Sequence, residues 1–287
     1  MRTTYAYCVW YTLMAAMTRE RPIAGLDLPA SFKAAWGEVA PTSRGPRREL
    51  SLDRIVAAAV RVASADGIGA VSMGRVAGEL GAGTMALYRY VGTKDELLTL
   101  MVDAAFGRPG RAPSAAAPWR PELTRWARDY LTVLERHPWI VRIPLSGPPM
   151  TPSLVAWFEQ GLAALGTSGL SAQRMLAVLT LVNGFVRNHA TLAADLRMAT
   201  PDIDDSQAGA SYANLLDALT GDGPFPAIRE LLRARAFDGS EDLDADFRFG
   251  LSCILDGVEV LIDNTKRRRS RPATNRARRG SRPGGAG

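Results

Sequence analysis

Cysteine and histidine are nearly missing from this chain: Cys8, Cys253, His137 and His189 are all there are in 287 residues. That excludes a disulfide framework and the clustered ligand sets of structural metal sites, and it fits a reducing, cytoplasmic setting. Also lacking are a nucleotide-binding glycine loop, a Gly-x-Ser-x-Gly elbow and any paired carboxylates in a catalytic setting, so neither an enzyme nor a cofactor is expected. The acidic run Asp202-Ile203-Asp204-Asp205 lies in a Pro-bounded loop and reads as a solvated connection. Alternating Val/Ile/Thr runs are scarce and aromatics make up only 7%, which turns the reading from sheet to helix. A membrane span is not expected either. The uncharged stretch Tyr5–Met17 is shorter than the roughly 20 apolar residues a spanning helix needs, and no small-x-small cleavage site follows it. Translation from Met17, or a loosely attached extension over 1–43, accounts for it.

The net charge of +6 is unevenly placed. Residues 266–287 carry nine Lys/Arg and no acid; without them the chain has 26 basic and 29 acidic residues. Residues 108–265 hold 14 basic and 19 acidic residues, so the larger part of the body is not itself a nucleic-acid surface. The tail, with three glycines in its last four residues, cannot bury a core and is expected to be disordered.

Punctuation divides the chain into four parts: an extension over 1–48, a small helical head over 49–109, a larger helical domain over 118–265, and the basic tail. The turn-forming Pro41–Pro46 and Arg108–Ser114 segments separate them. In the head, Ile55, Val56, Ala59, Val60, Val62 and Ala63 mark one face of a helix from Leu52 to Asp66, closed by Gly67. Ser72 caps a second helix with Met73, Val76, Ala77 and Leu80 inward, Gly81-Ala82-Gly83 turns, and Thr84–Tyr90 forms a short third helix. Thr93 with Glu96 forms a capping box for a fourth helix ending at Phe106. Two short helices around a glycine turn is the plan of a helix-turn-helix. Beyond the hinge, helices are expected near 119–136, 138–144, 151–166, 171–197, 206–220, 225–236 and 241–265.

The pieces Leu52–Ala59, Gly67–Met73, Val76–Gly81 and Leu87–Leu98 together resemble the TetR family of bacterial repressors. The second domain, through Trp119–Arg136, His137-Pro138 and Phe247–Leu251, is similar over shorter pieces to the sensor half of tetracycline repressors. The resemblance implies an all-α fold, a three-helix helix-turn-helix head on a larger effector-binding and dimerisation domain, and a homodimer on double-stranded operator DNA. By position, Thr84, Met85, Ala86 and Arg89 would face base edges, while Ser72, Arg75, Tyr88, Tyr90 and Lys94 would lie along the phosphates. Arg44, Arg47 and Arg48 would supply an arm. Gly74 departs from the family habit of a longer polar side chain early in the second helix. His137 matches a residue that helps hold a magnesium–tetracycline complex, but the second histidine of that site falls near Gly110 here, so no metal is expected.

Trp119, Trp126, Trp139, Trp157, Tyr130, Phe158 and Phe185 concentrate early in the second domain. Such residues build core, and they also wall a cavity for a small apolar or aromatic effector. Trp126, Tyr130, His137, Trp157, Asn183 and Arg187 are the candidate effector-binding residues, with Arg142, Asn188 and His189 as further polar anchors. Met175, Leu176, Leu179, Val182, Val186 and Leu192, with Phe247, Leu251, Ile254, Leu255, Val258 and Leu261, form apolar stripes on two long helices. They serve the subunit's own core or a two-fold interface. The expected function is a repressor released from its operator by a small molecule; a sequence-tolerant architectural DNA-binding protein is the alternative that the basic tail suggests.

Overall fold

The computed structural model describes residues 27–37, 50–114, 116–144, 147–199, 205–221, 223–237 and 244–270. Among these residues there are eleven α-helices and no strand. In chain order they are α1 (Ala30–Ala35), α2 (Leu52–Asp66), α3 (Met73–Glu79), α4 (Thr84–Tyr88), α5 (Lys94–Phe106), α6 (Trp119–Arg136), α7 (Pro152–Ala164), α8 (Ala172–Ala199), α9 (Asp205–Thr220), α10 (Pro226–Arg233) and α11 (Ala245–Ser270). The arm at Arg44, Arg47 and Arg48, the Tyr5–Met17 stretch, the Asp202–Asp204 loop and the tail beyond Ser270 lie outside the described residues.

Three of the four head helices, α2, α3 and α5, begin where side-chain oxygens satisfy the first free amides, whereas α4 starts after Gly83 with no side-chain cap. Ser51 accepts from the Arg54 N–H, Ser72 from Arg75 and Thr93 from Glu96. Between α3 and α4 the chain reverses at Gly81, whose φ of +62° is a backbone state open to glycine at little cost. Leu87 and Val91, both fully buried, pin the short α4 against a core that includes Ile55, Val56, Val62, Val76, Leu97 and Met101. In the larger domain α6 packs on α7 and α8, α11 lies along α8, and α9 pairs with α10. The α5 helix belongs to both parts: it packs on α2 in the head and on α7 in the body.

Four expectations need correction. The extension is not loose throughout, because α1 packs on α5 with Ser31 and Phe32 buried. The capping box is displaced: the Glu96 carboxylate accepts from the Gly92 N–H rather than from Thr93, one residue further out. Residues Pro138–Arg142 form a 3-10 turn, with the Ile140 N–H on the His137 carbonyl and the Ile143 N–H on the Ile140 carbonyl, and the chain goes extended at Ile143, the residue before Pro144, so no α-helix continues. The basic tail is not disordered from its start, because residues 266–270 continue α11 as helix.

Candidate DNA-binding surface and ligand cavity

The helix-turn-helix pair and the start of α5 carry most of the residues expected at DNA on their outer side. Ser72, Arg75, Thr84, Met85, Tyr88, Arg89 and Lys94 are all exposed and Ala86 is half-buried, whereas Leu87 beneath them is sealed in the core. A short helix held from below with its polar residues outward is what a major groove admits. Met85 is 78% exposed, which leaves a large apolar side chain at the surface beside these polar ones. Arg75 holds Asp66 through Nη2 at 3.0 Å, and the other guanidinium donors remain for a phosphate. Lys94 stands in the first turn of α5, where its cation opposes the helix dipole.

Tyr90 is not where the sequence reading put it. It is half-buried and its hydroxyl donates to the Leu50 carbonyl at 3.1 Å, so its single O–H is already committed and cannot also be given to a phosphate. Its role is to hold the start of α2.

In the body, Trp126, Tyr130 and Trp157 are buried and interlock. Ring centroids of Trp126 and Tyr130 lie 5.2 Å apart, those of Tyr130 and Trp157 5.7 Å, and Phe106 from α5 enters the same group 4.8 Å from Tyr130. Trp126, Tyr130 and Trp157 wall a cavity of about 320 Å³ whose lining also includes Phe158, Leu179, Asn183 and Arg187, with Phe106 packed behind them. Among the described lining residues Arg187 is the one that carries a formal charge, and its Nη2 makes a 3.5 Å contact with the Ile143 carbonyl. The arrangement suits a flat apolar body with an oxygen or acidic group directed at the guanidinium.

His137 lies elsewhere. It ends α6, its ring stands edge-on to Trp139 at 5.8 Å, and burial, with Arg136 beside it, pushes its pKa below the ordinary imidazole value. Arg142 pairs with Asp195, His189 packs on the Phe185 and Phe247 rings, and Asn188 is exposed; none of them lines the cavity. Gathering His137 with the aromatics failed because a residue that ends a helix turns its side chain with the backbone, not with the helix face. Among the described residues no group of three or more His, Cys, Asp or Glu side chains is placed to hold a metal.

Contacts that tie the cavity to the head were not foreseen. Asp103, on α5, accepts from the Ser153 and Leu154 amides at 2.8 and 3.0 Å and so caps α7 from another helix. Thr151, the residue at the N-cap, makes no such bond. The Trp157 indole donates to the Gly107 carbonyl at 3.1 Å, and Gln160 donates to Arg111 at 2.9 Å. Arg111 in turn reaches Glu122, whose carboxylate is held below the ordinary range by its hydrogen bond to Arg125 and, next, by Arg111, against an opposing effect of burial. A signal for Asp103 did exist: an acid near the C-terminal end of a helix opposes the dipole and calls for a partner.

Residues 55–101 match the sequence profile of bacterial regulatory proteins of the tetR family, and residues 112–262 match the tetracyclin repressor-like C-terminal domain. The HTH-type transcriptional repressor DrrR1 of Streptomyces coeruleorubidus is 35% identical over 244 residues, which span 82% of this chain and 87% of that protein. Among solved structures, the TetR family protein ActR of Streptomyces coelicolor in complex with actinorhodin aligns with TM-score 0.63 and 26% identity over 76% of this chain and 99% of ActR. Its complex with (S)-DNPA aligns with TM-score 0.60 and 26% identity over 73% and 97%. Both halves of the chain, their order and their helical build therefore agree with one assignment: this protein belongs to the TetR family of bacterial transcriptional regulators.

Proposed function

We propose that the chain is a homodimeric repressor that leaves its operator when a small aromatic molecule fills the cavity beside Trp126, Tyr130 and Trp157. The observation that carries this reading is a cavity built on the same aromatic group that α5 enters, through Phe106, from the head. A molecule pressing on Trp157 acts on a ring whose indole is bonded to Gly107 at the end of α5, and on a helix whose first amides are held by Asp103. Tilt of α5 then misplaces α3 and α4. Release follows only if the molecule binds the displaced state more tightly than the DNA-bound one. That ActR, similar to this chain, has been solved in complex with actinorhodin and with (S)-DNPA supports a ligand-responsive reading.

On DNA, Arg89 is assigned to a guanine edge, Met85 and Ala86 to apolar contact such as a thymine methyl, Thr84 to a base edge, and Ser72, Arg75, Tyr88 and Lys94 to phosphates. Two heads are brought to a palindromic site by pairing α8 and α11. Their outward faces carry Leu181, Leu196, Phe249 and Val260, each more than half exposed in the single chain. Val258, by contrast, is 4% exposed and belongs to the chain's own core, and Leu261 is half-buried.

The test is a footprint on the region upstream of the gene, followed by a tryptophan-quenching screen and operator release with each hit. A palindromic footprint abolished by a quenching ligand supports the reading. Ligands that quench without changing DNA affinity, or sequence-blind binding with a steep salt slope, would sink it.

A further inference from the structure

Residues 27–37 precede both regions that match the family, the first of which begins at 55, and yet they are held at both ends by distant parts of the chain. Ser31, 2% exposed, donates its hydroxyl to Glu96 Oε2 at 2.7 Å, and Trp36 donates its indole N–H to the Met150 carbonyl at 2.9 Å. Between them Phe32 is buried, and Ala35 packs against the core.

The two partners sit at the two places a ligand-released regulator must couple. Glu96 lies in the first turn of α5, and the oxygen that takes the Ser31 hydroxyl also accepts the Gly92 amide at 3.1 Å, in the turn after α4. Met150 closes the Gly147–Met150 segment, which forms part of the cavity lining, and is followed directly by the start of α7. One short helix therefore touches the cavity wall with one end and the reading helix's support with the other. Neither hydrogen bond is strong alone. A docked helix with three anchors is nevertheless a two-state element, in place or out of place, which is what transmission between sites requires.

We infer that α1 is a strap that couples the cavity wall to the DNA-binding head. Displacement of the 147–150 segment pulls Trp36, moves α1 along α5 and loosens the hold of Ser31 on Glu96 and so on Gly92. This path runs beside the α5–α7 contacts and is supplied by a part of the chain outside the family's two regions. Its regulatory meaning rests on the cavity being the effector site; the mechanical link does not.

The test uses the full-length chain and hydrogen exchange at the Gly92, Ser153 and Leu154 amides in Ser31→Ala, Trp36→Phe and the double variant. Each single substitution removes one hydrogen bond. If the strap couples the ends, each speeds exchange at both ends by about fivefold, and the double variant is no worse than either single one. Effects confined to the near end and additive in the double variant overturn the inference. Phe32→Ala, which undocks α1 altogether, must reproduce the double variant; wild-type exchange at both ends would overturn it as well. Tryptophan quenching by 8-anilinonaphthalene-1-sulfonate checks the cavity separately. Failure of that probe to bind, with the exchange pattern intact, takes away the effector role and with it the regulatory part of the inference, while the link itself stands.

Discussion

Replacing Asp103 by Ala removes one acceptor from two amides that have no substitute. The carboxylate lies 2.8 and 3.0 Å from the Ser153 and Leu154 nitrogens, at the end of α7 where the helix dipole is positive, and the residue at the N-cap, Thr151, leaves those amides unbonded. A lost helix cap costs about 0.5–2 kcal/mol and a hydrogen bond to a charged group about 1.5–3. Asp103 is only half-buried, so water recovers part of the loss, and about 2 kcal/mol is the expected figure. Exchange at Ser153 and Leu154 should then rise about 30-fold if it proceeds by local opening, and the melting temperature should fall by roughly 3 °C for a chain of this size. Asp103→Asn keeps an acceptor and should lose about half as much. The functional consequence is sharper than the loss of stability. With the first turn of α7 no longer held by α5, a ligand bound in the cavity pushes on a helix end that yields, and the ligand-induced drop in operator affinity should shrink while operator affinity without ligand stays within about threefold. The assay is operator binding by fluorescence anisotropy with and without a quenching ligand. Unchanged exchange at Ser153 and Leu154 together with an undiminished drop would refute the reasoning.

On the head, Tyr88→Phe and Lys94→Ala should weaken binding almost equally across DNA sequences, whereas Arg89→Ala should relax preference at one base pair by about 1–3 kcal/mol; selection from a randomised pool separates the two outcomes. Tyr90→Phe should cost about 1 kcal/mol of stability, read by denaturant melts, and leave relative operator preferences as they were. At the proposed interface, Phe249→Asp and Val260→Asp should give folded monomers by sedimentation, while Val258→Asp should instead fail to fold, because it buries a carboxylate in the subunit's own core. For pH, the lowered pKa of Glu122 means that its pairing with Arg125 and Arg111 stabilises the fold above the ordinary carboxylate value of about 4.3, and that this contribution is lost as pH falls through the depressed folded value. Glu122→Gln should therefore flatten the acid side of a melting-temperature profile and leave its shape above pH 6 unchanged.

How much was legible in the sequence depended on the range of the interaction. Local ones were readable: Ser72 and Thr93 cap their helices by bonds to amides three residues on, Gly81 supplies the positive φ of the turn, and the spacing of Ile55, Val56, Ala59 and Val62 marks the buried face of α2. Each of these is decided within about one helical turn, and a pattern of residue types records it. The fold class and the helix order followed from such patterns, and so did the aromatic wall, because large rings early in the second domain had to be buried somewhere. Long-range commitments were not readable. That Tyr90 spends its hydroxyl on Leu50, that Asp103 caps a helix fifty residues away, that His137 turns from the cavity while Arg187 faces it, and that α1 is docked at all depend on which surfaces meet once the helices pack. A side chain's type states what it can bond; only the tertiary structure decides which partner is within reach. The outward faces of α8 and α11 show the same division. Sequence determined that both helices carry more apolar residues than one face needs, and packing decided that Val258 is core while Phe249 and Val260 face outward.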